Sequence, residues 1–368
     1  MSHLVANKGG FGIYAPEIPN TSAATLMALR QSGLAIEVEP PGMTQSLLIS
    51  DIISSELYGT GTEAQNLKIP VNGYFQSSDG VKFVPDELLM DERIPTVLYN
   101  GYENSAQAVK DYVAYSEAMR TKWPGQKIAY SFAWNIIPGW SDGSQPPPDG
   151  SIANQVLENL LVALCSSGQC PTTAYLDVEW YIDNPNSPSW NAQNLLTILL
   201  QTKSILQQHG VGFGILLAGD AGRELSGMTV QLTPDRSSLQ SSGPFACSGS
   251  SCNSLYQNSE LAIMDWLVHQ GVIDIQTRVH IQSWYALPAE AGANVSESIP
   301  YSLANTADRV FQEALASILT MTPPGNFNVS GTVYYENTSN HYCSFQDPSY
   351  LSALGGMLME PAAPPSRT

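Results

Sequence analysis

Charge is what this chain has least of. Charged residues fill 13% of its 368 positions, about half the usual share of a soluble domain, and Ser, Thr, Asn, Gln, Gly and Pro supply the polar surface instead. Only 15 Lys and Arg stand against 33 Asp and Glu, a net charge of -18. That argues against nucleic acid or an anionic membrane as a partner, since both need basic patches, and neutral or cationic ligands fit better. No apolar run approaches the ~20 residues of a membrane span. The first ten residues lack the apolar centre of a signal peptide. The expectation is an extracellular or periplasmic protein whose leader is absent from this chain, with the cytoplasm as the alternative.

Histidine is scarce too. His3, His209, His269 and His341 fall in a tail, at helix ends or in a loop, and His280 lies low on a strand, where a satisfied core histidine is the ordinary reading. A histidine-based triad or a His-rich metal site has little support, and no cofactor is expected. There is no Gly-x-Ser-x-Gly elbow, Walker loop or dinucleotide fingerprint. Gly210-Val-Gly-Phe-Gly lacks the fingerprint spacing.

Five cysteines include two tight pairs, Cys165/Cys170 and Cys247/Cys252, both in Ser- and Gly-rich loop-like sequence. Local disulfides are the favoured reading, because the spacing is not Cys-x-x-Cys and no His lies near either pair. Cys343 is left over. Sequons at Asn20, Asn294, Asn328 and Asn337 suit a secreted protein but also arise by chance.

What the chain does have is a rhythm. Short β-like runs alternate with amphipathic helical stretches, the mark of a parallel βα architecture. Eight strands are expected: Phe11–Ala15, Leu34–Glu39, Pro95–Tyr99, Lys127–Trp134, Thr173–Tyr181, Gly212–Ala218, Arg278–Trp284 and Val329–Tyr335. Interleaved helices with no closing domain predict a single (β/α)8 TIM-type barrel over residues 1–358, followed by a flexible C-terminal tail at 359–368. Between strands two and three the pattern weakens, and residues 42–93 read as an elaborated second βα unit or an insertion. This region holds a helix near Thr44–Leu57 and a hairpin turning at Ser78-Asp79-Gly80.

The fifth strand carries the chemistry. In Thr173-Ala-Tyr-Leu-Asp-Val-Glu-Trp-Tyr181, alternation puts Tyr175, Asp177 and Glu179 on one face and Leu176, Val178 and Trp180 on the other. Two neighbouring carboxylates are costly to bury unless they have partners or a task. Adjacent acids also separate in protonation state, which leaves a proton available near neutral pH, as glycosidic cleavage requires.

Active sites of such barrels form at the carboxyl ends of the strands. The polar residues there are Glu17, Glu37, Glu39, Asn100, Glu103, Trp134, Asn135, Asp220, Gln282, Trp284, Glu336 and Asn337. On strand seven Arg278, His280, Gln282 and Trp284 share one parity, which argues for a polar interior. Its amide and indole suit a sugar's hydroxyls and apolar face. Trp134, Asn135, Asn100, Asp220, Glu37, Glu39, Tyr175 and Glu336 join Gln282 and Trp284 as candidate substrate contacts. The ordinary alternatives stand beside these: core packing for each Trp, the first turn of a helix for Glu103, and a pair with Arg223 for Asp220.

The Leu176-Asp177-Val178-Glu179 segment resembles the Asp-x-Glu strand end of lysozyme-type family 25 glycoside hydrolases and the last part of the acidic motif of family 18 chitinases. The resemblance implies a (β/α)8-like barrel in which Glu179 is the proton donor and Asp177 its assistant. It departs from the chitinases at Thr172, Thr173 and Tyr175, where they carry further acids, and both families place the motif on an earlier strand. The larger retaining-glycosidase clan fits less well, since Asn135 is followed by Ile136 and strand seven offers Gln282.

Two other readings use the same residues. One is a non-catalytic barrel binding carbohydrate through Trp284, Trp134 and the loops. The other gathers Glu37, Glu39, Asp177, Glu179 and Asp220 round Mg2+ or another hard cation for lyase, cyclase or phosphate-ester chemistry.

Overall fold

The computed structural model describes residues 10–31, 35–40, 48–90, 105–133, 151–177, 192–217, 250–274, 276–283, 300, 303–321 and 333–337. In chain order these form β1 (Gly10–Tyr14), a 3-10 turn (Ala15–Asn20), α1 (Ala23–Gln31), β2 (Ala35–Glu39), α2 (Ile49–Tyr58), α3 (Thr62–Leu67) and β3 (Glu87–Met90). There follow α4 (Ser105–Lys122), β4 (Lys127–Ala133), α5 (Ser151–Ser166), β5 (Thr173–Asp177), α6 (Ala192–Gln208), β6 (Gly212–Leu217), α7 (Ser250–His269), β7 (Arg278–Ser283), α8 (Leu303–Met321) and β8 (Val333–Asn337). This is an α/β fold of parallel strands alternating with helices. The strands run in sequence order round a closed barrel, β8 pairing with β1.

The stagger of the ladder is visible in a single row. Gly10, the first residue of β1, pairs with Tyr334, and the row continues through His280, Leu216 and Asp177 to Ala133. It thus climbs from the start of β1 to the last residues of β5 and β4, which is the tilt that closing a sheet into a barrel requires.

Period-two alternation divides the described strand residues between two cores. Ile36, Val38, Leu88, Met90, Ile128, Tyr130, Leu176, Ile215, Val279 and Ile281 belong to the large cluster packed with the helices. Their neighbours Leu89, Ala129, Tyr175 and Leu216 form a separate small cluster inside the ring. Tyr112 and Tyr130 meet with ring centroids 4.9 Å apart, and Ser116 Oγ lies 2.7 Å from the Tyr130 hydroxyl. Burial pushes the Tyr130 phenol up, well out of its ordinary range.

Two strands differ from expectation. The third is Glu87–Met90, earlier than Pro95–Tyr99, which lies outside the described residues. The later run has the higher β-propensity, but Glu87–Met90 is buried throughout and laddered to both β2 and β4. Tertiary pairing overrides local preference here. The 42–93 stretch, read as an elaborated second βα unit or an insertion, therefore contains a barrel strand. The eighth strand runs to Asn337, so Glu336 and Asn337 stand in the strand rather than after it, held there by register with Gln282 and Ser283.

The intervening region is compactly built. α2 ends at Gly59, whose left-handed φ of 65° lets its N–H return to the Ser55 carbonyl and the Thr60 N–H to that of Ser54. The turn at Ser78-Asp79-Gly80 exists, with Gln76 and Lys82 bridged antiparallel across it. Asp79 caps α1 through the Ala23 N–H at 2.9 Å. Further on, Cys165 and Cys170 are joined in a disulfide that ties the turn between α5 and β5. A ring this short contributes about 2 kcal/mol by chain entropy. Arg120 reinforces the turn, its guanidinium donating to the carbonyl of Cys170 at 2.8 Å and to Gln169 Oε1 at 2.9 Å. Cys247 lies outside the described residues, and with it the second pairing.

Candidate active-site rim

The barrel interior is filled from the amino end of the strands upward. At the bottom, Arg278 of β7 reaches across to Glu87 of β3, Nη1 to Oε2, at 2.6 Å. Thr172, just ahead of β5, donates to the other oxygen of the same carboxylate. A bidentate-capable guanidinium and a hydroxyl thus compensate an acid that is 2% exposed. The sequence signalled Arg278 by its parity on strand seven. Its partner carries no such signal, because local propensity puts strand three at Pro95–Tyr99, eight residues beyond Glu87.

Above this lies a second polar pair. His280 Nδ1 stands 3.2 Å from Glu37 Oε1, with both side chains essentially inaccessible to water. His280 is a core histidine, as its low position on the strand indicates. Glu37 is below the rim, paired inside the barrel. The Tyr175 ring meets the His280 imidazole edge-on, centroids 5.8 Å apart and planes at 88°. The same ring lies against β6 at Gly214, where an added Cβ would come within 2.4 Å of Tyr175 Cδ1. A glycine is required at that point because the tyrosine already fills the space. Tyr175 is wholly buried and, with Leu89, Ala129 and Leu216, completes the floor.

Over this floor the described strands bring four of the candidate acids and amides to the carboxyl end. Glu39 is the last residue of β2, half-buried and in register with Tyr14. Asp177 is the last residue of β5, between Ala133 and Leu216. Gln282 and Glu336 stand side by side on β7 and β8, and Glu336 pairs onward with Gly12. Glu17 lies in the 3-10 turn directly after β1. Glu179, Trp134, Asn135, Asn100, Glu103, Asp220 and Trp284 lie outside the described residues. Among the described residues, no three His, Cys, Asp or Glu gather as a metal-ligating set, and no helix is long and apolar enough to cross a membrane.

The carboxyl end of the barrel thus gathers Glu39 of β2, Asp177 of β5, Gln282 of β7 and Glu336 of β8 as strand positions above a floor of two polar pairs. That composition suits hydrogen bonding to a polyhydroxylated ligand and proton transfer between acids at different registers.

No family model matches the chain, so the likeness to families 25 and 18 gains no support there, and no curated protein matches it. Solved structures of similar shape include a glucosidase from Croceicoccus marinus, at 10% identity and a TM-score of 0.37, covering 77% of this chain and 51% of that one. The chain spans about half of that enzyme's length. GH5_18 from Streptomyces cattleya, solved with GlcNAc, is 14% identical with a TM-score of 0.35, covering 91% and 70%. Aspergillus fumigatus Ega3, solved with galactosamine, is 12% identical with a TM-score of 0.30, covering 69% and 84%. At these scores the likenesses carry no argument about activity, which rests on the chain's own residues.

Proposed function

We propose that this chain is a single (β/α)8 barrel of TIM type acting as a glycoside hydrolase on a polysaccharide or glycan, with Glu179 as general acid and Asp177 as its assistant. The observation that supports it is the position of Asp177 as the closing residue of β5, at the carboxyl end of the barrel. Glu179 follows two residues on. In this reading Glu179 protonates the leaving glycosidic oxygen, and Asp177 raises the proton affinity of its neighbour and stabilises positive charge developing at the sugar carbon. Glu39, Gln282 and Glu336 supply hydrogen bonds to sugar hydroxyls from the neighbouring strands. Trp284 and Trp134 offer the apolar faces on which pyranose rings stack.

The test is turnover of soluble chitin, peptidoglycan and β-glucan fragments by the wild type, Glu179→Gln and Asp177→Asn. One substrate should be cleaved, and Glu179→Gln should lose about 10²- to 10⁴-fold in kcat, the usual worth of a general acid. Sugar binding without turnover by the wild type would replace this reading with that of a non-catalytic lectin-like barrel. Full activity in Glu179→Gln would remove the assignment, and loss of activity on chelation would move the acids to a metal.

A further inference from the structure

The end of the barrel opposite Asp177 carries a pocket that the catalytic reading does not use. α4 leads directly into β4, so its last residue, Lys122, and the following Trp123 sit where the strands begin. There a cavity of about 180 Å3 opens between α2, the 72–83 segment and the end of α4, with Tyr58, Asn72, Gln76, Lys82, Lys122 and Trp123 in its walls.

Four features set it apart. Its lining holds two lysines and two carboxamides and no carboxylate, in a chain where acids outnumber bases 33 to 15. The second is the placing of Lys122, which donates to the Leu57 carbonyl, with Nζ 4.7 Å from the Tyr58 ring centroid and 5.1 Å from that of Trp123. Burial and the nearby Lys82 push Lys122 down to about 8, and an anion between the two ammonium groups would relieve both effects.

Third, the walls are pre-formed. Asn72 is held at φ 90°, a conformation costly for any residue but glycine and concentrated at ligand sites. Its amide donates to Gln76 Oε1 at 2.7 Å, and Gln76 donates to the Gly80 carbonyl at 2.6 Å. Gly59 and Gly73, both at positive φ, interlock so closely that an added Cβ would lie 1.9 Å from the Pro70 oxygen and 2.1 Å from that of Glu56, respectively. Fourth, Trp123 is fixed edge-on to Phe75 at 4.7 Å, while Tyr58 is 50% exposed.

We propose that this pocket binds a small carboxylate borne on a ring, the anion seated between Lys122 and Lys82 and the ring against Tyr58 and Trp123. The helix ends that frame it are C-terminal ends, whose partial negative charge holds the lysines and opposes a multiply charged phosphate more strongly than a singly charged carboxylate. Lysines are point charges without the fork that selects phosphate geometry, which also suits a singly charged carboxylate. An aromatic acid and a uronic acid share this chemistry. The assignment does not depend on the glycosidase reading.

The experiment is isothermal titration calorimetry of the full chain at pH 7 with benzoate, glucuronate, glucose and inorganic phosphate. Single-site binding of benzoate or glucuronate, with glucose and phosphate at least tenfold weaker, is expected, and which of the two binds identifies the source. Lys82→Gln, at an exposed position, should weaken binding about fivefold to tenfold, as loss of one charge-assisted contact implies. Lys122→Met should abolish it, and Glu179→Gln should leave it unchanged. Affinity should fall as pH rises from 7 to 9, because the free pocket loses the Lys122 proton near 8; Lys82 and Tyr58 are the other titratable groups in its walls. Failure of both carboxylates to bind, equal binding of glucose that Lys122→Met abolishes, tighter binding of phosphate, or indifference to Lys82→Gln would each overturn the proposal.

Discussion

His280 and Glu37 meet 3.2 Å apart inside the barrel, although their strands β7 and β2 are separated in the ring by β8 and β1. The contact therefore crosses the interior rather than running along a ladder. It joins two strands that bring Gln282 and Glu39 to the rim, so it fixes the spacing of groups above it. Neither residue reaches solvent, and each compensates the other's desolvation.

Removing one partner strands the other. His280→Leu or Glu37→Leu alone should destabilise the protein by about 3 kcal/mol, whereas the double replacement by apolar residues should recover most of that loss. Urea denaturation of the four proteins measures the coupling. Additive losses would show that the two side chains do not depend on each other.

The origin of this pair explains what can be read from such a sequence. The strand rhythm, most strand positions and the inward parity of Arg278 and His280 follow from period-two alternation, which needs only near neighbours in sequence. The partners do not. Glu87 and Glu37 are acids on short strands, and what makes them interior residues is a register set by strands far away along the chain. Strand three differs from expectation for the same reason: Pro95–Tyr99 has the better local propensity, while Glu87–Met90 has a ladder on both sides and a guanidinium bonded to its carboxylate. Glu37 reads as a rim acid because its strand is acidic at two of its three odd positions, and only the cross-barrel distance assigns it to His280. The 42–93 region offered no functional signal at all, because the pocket walls come from three separated segments whose meeting depends on Gly59 and Gly73.

The pairing of Lys203 with Asp274 predicts a loss of stability in acid. Lys203 Nζ donates to Asp274 Oδ2 at 2.8 Å and to the Val272 carbonyl at 2.7 Å, tying α6 to the turn before β7. Burial alone would raise the Asp274 carboxyl, but the bonds from Lys203, Gln276 and Thr277 outweigh it and hold it below its ordinary value. A folded value below the unfolded one means that the contribution is fully present above about pH 4 and is lost as pH falls through the folded value. Asp274→Asn should therefore lower the melting temperature at pH 7 but flatten its fall between pH 5 and pH 2. An equally steep acid limb in the variant would assign the sensitivity to other carboxylates. The side chain is 42% exposed, so the effect on stability is a modest one.

Gly214 offers the sharpest probe of the link between floor and rim. A methyl group there would lie 2.4 Å from Cδ1 and 2.7 Å from Cε1 of Tyr175, and the ring cannot yield freely because Leu89, Ala129 and Leu216 enclose it. Gly214→Ala should cost about 1–3 kcal/mol as overpacking. The ring can relieve the clash only by moving along β5, where Asp177 is the next residue of the same parity. If the chain is the glycoside hydrolase proposed above, kcat should fall in Gly214→Ala by more than any change in KM, because catalysis is sensitive to displacements of that size. Combining it with Tyr175→Leu removes the clash and should restore stability, as thermal melts of the single and double variants will show. If stability returns but turnover does not, the tyrosine itself is needed to position the acids. If Gly214→Ala is as stable and active as the wild type, the floor does not set the geometry of the rim.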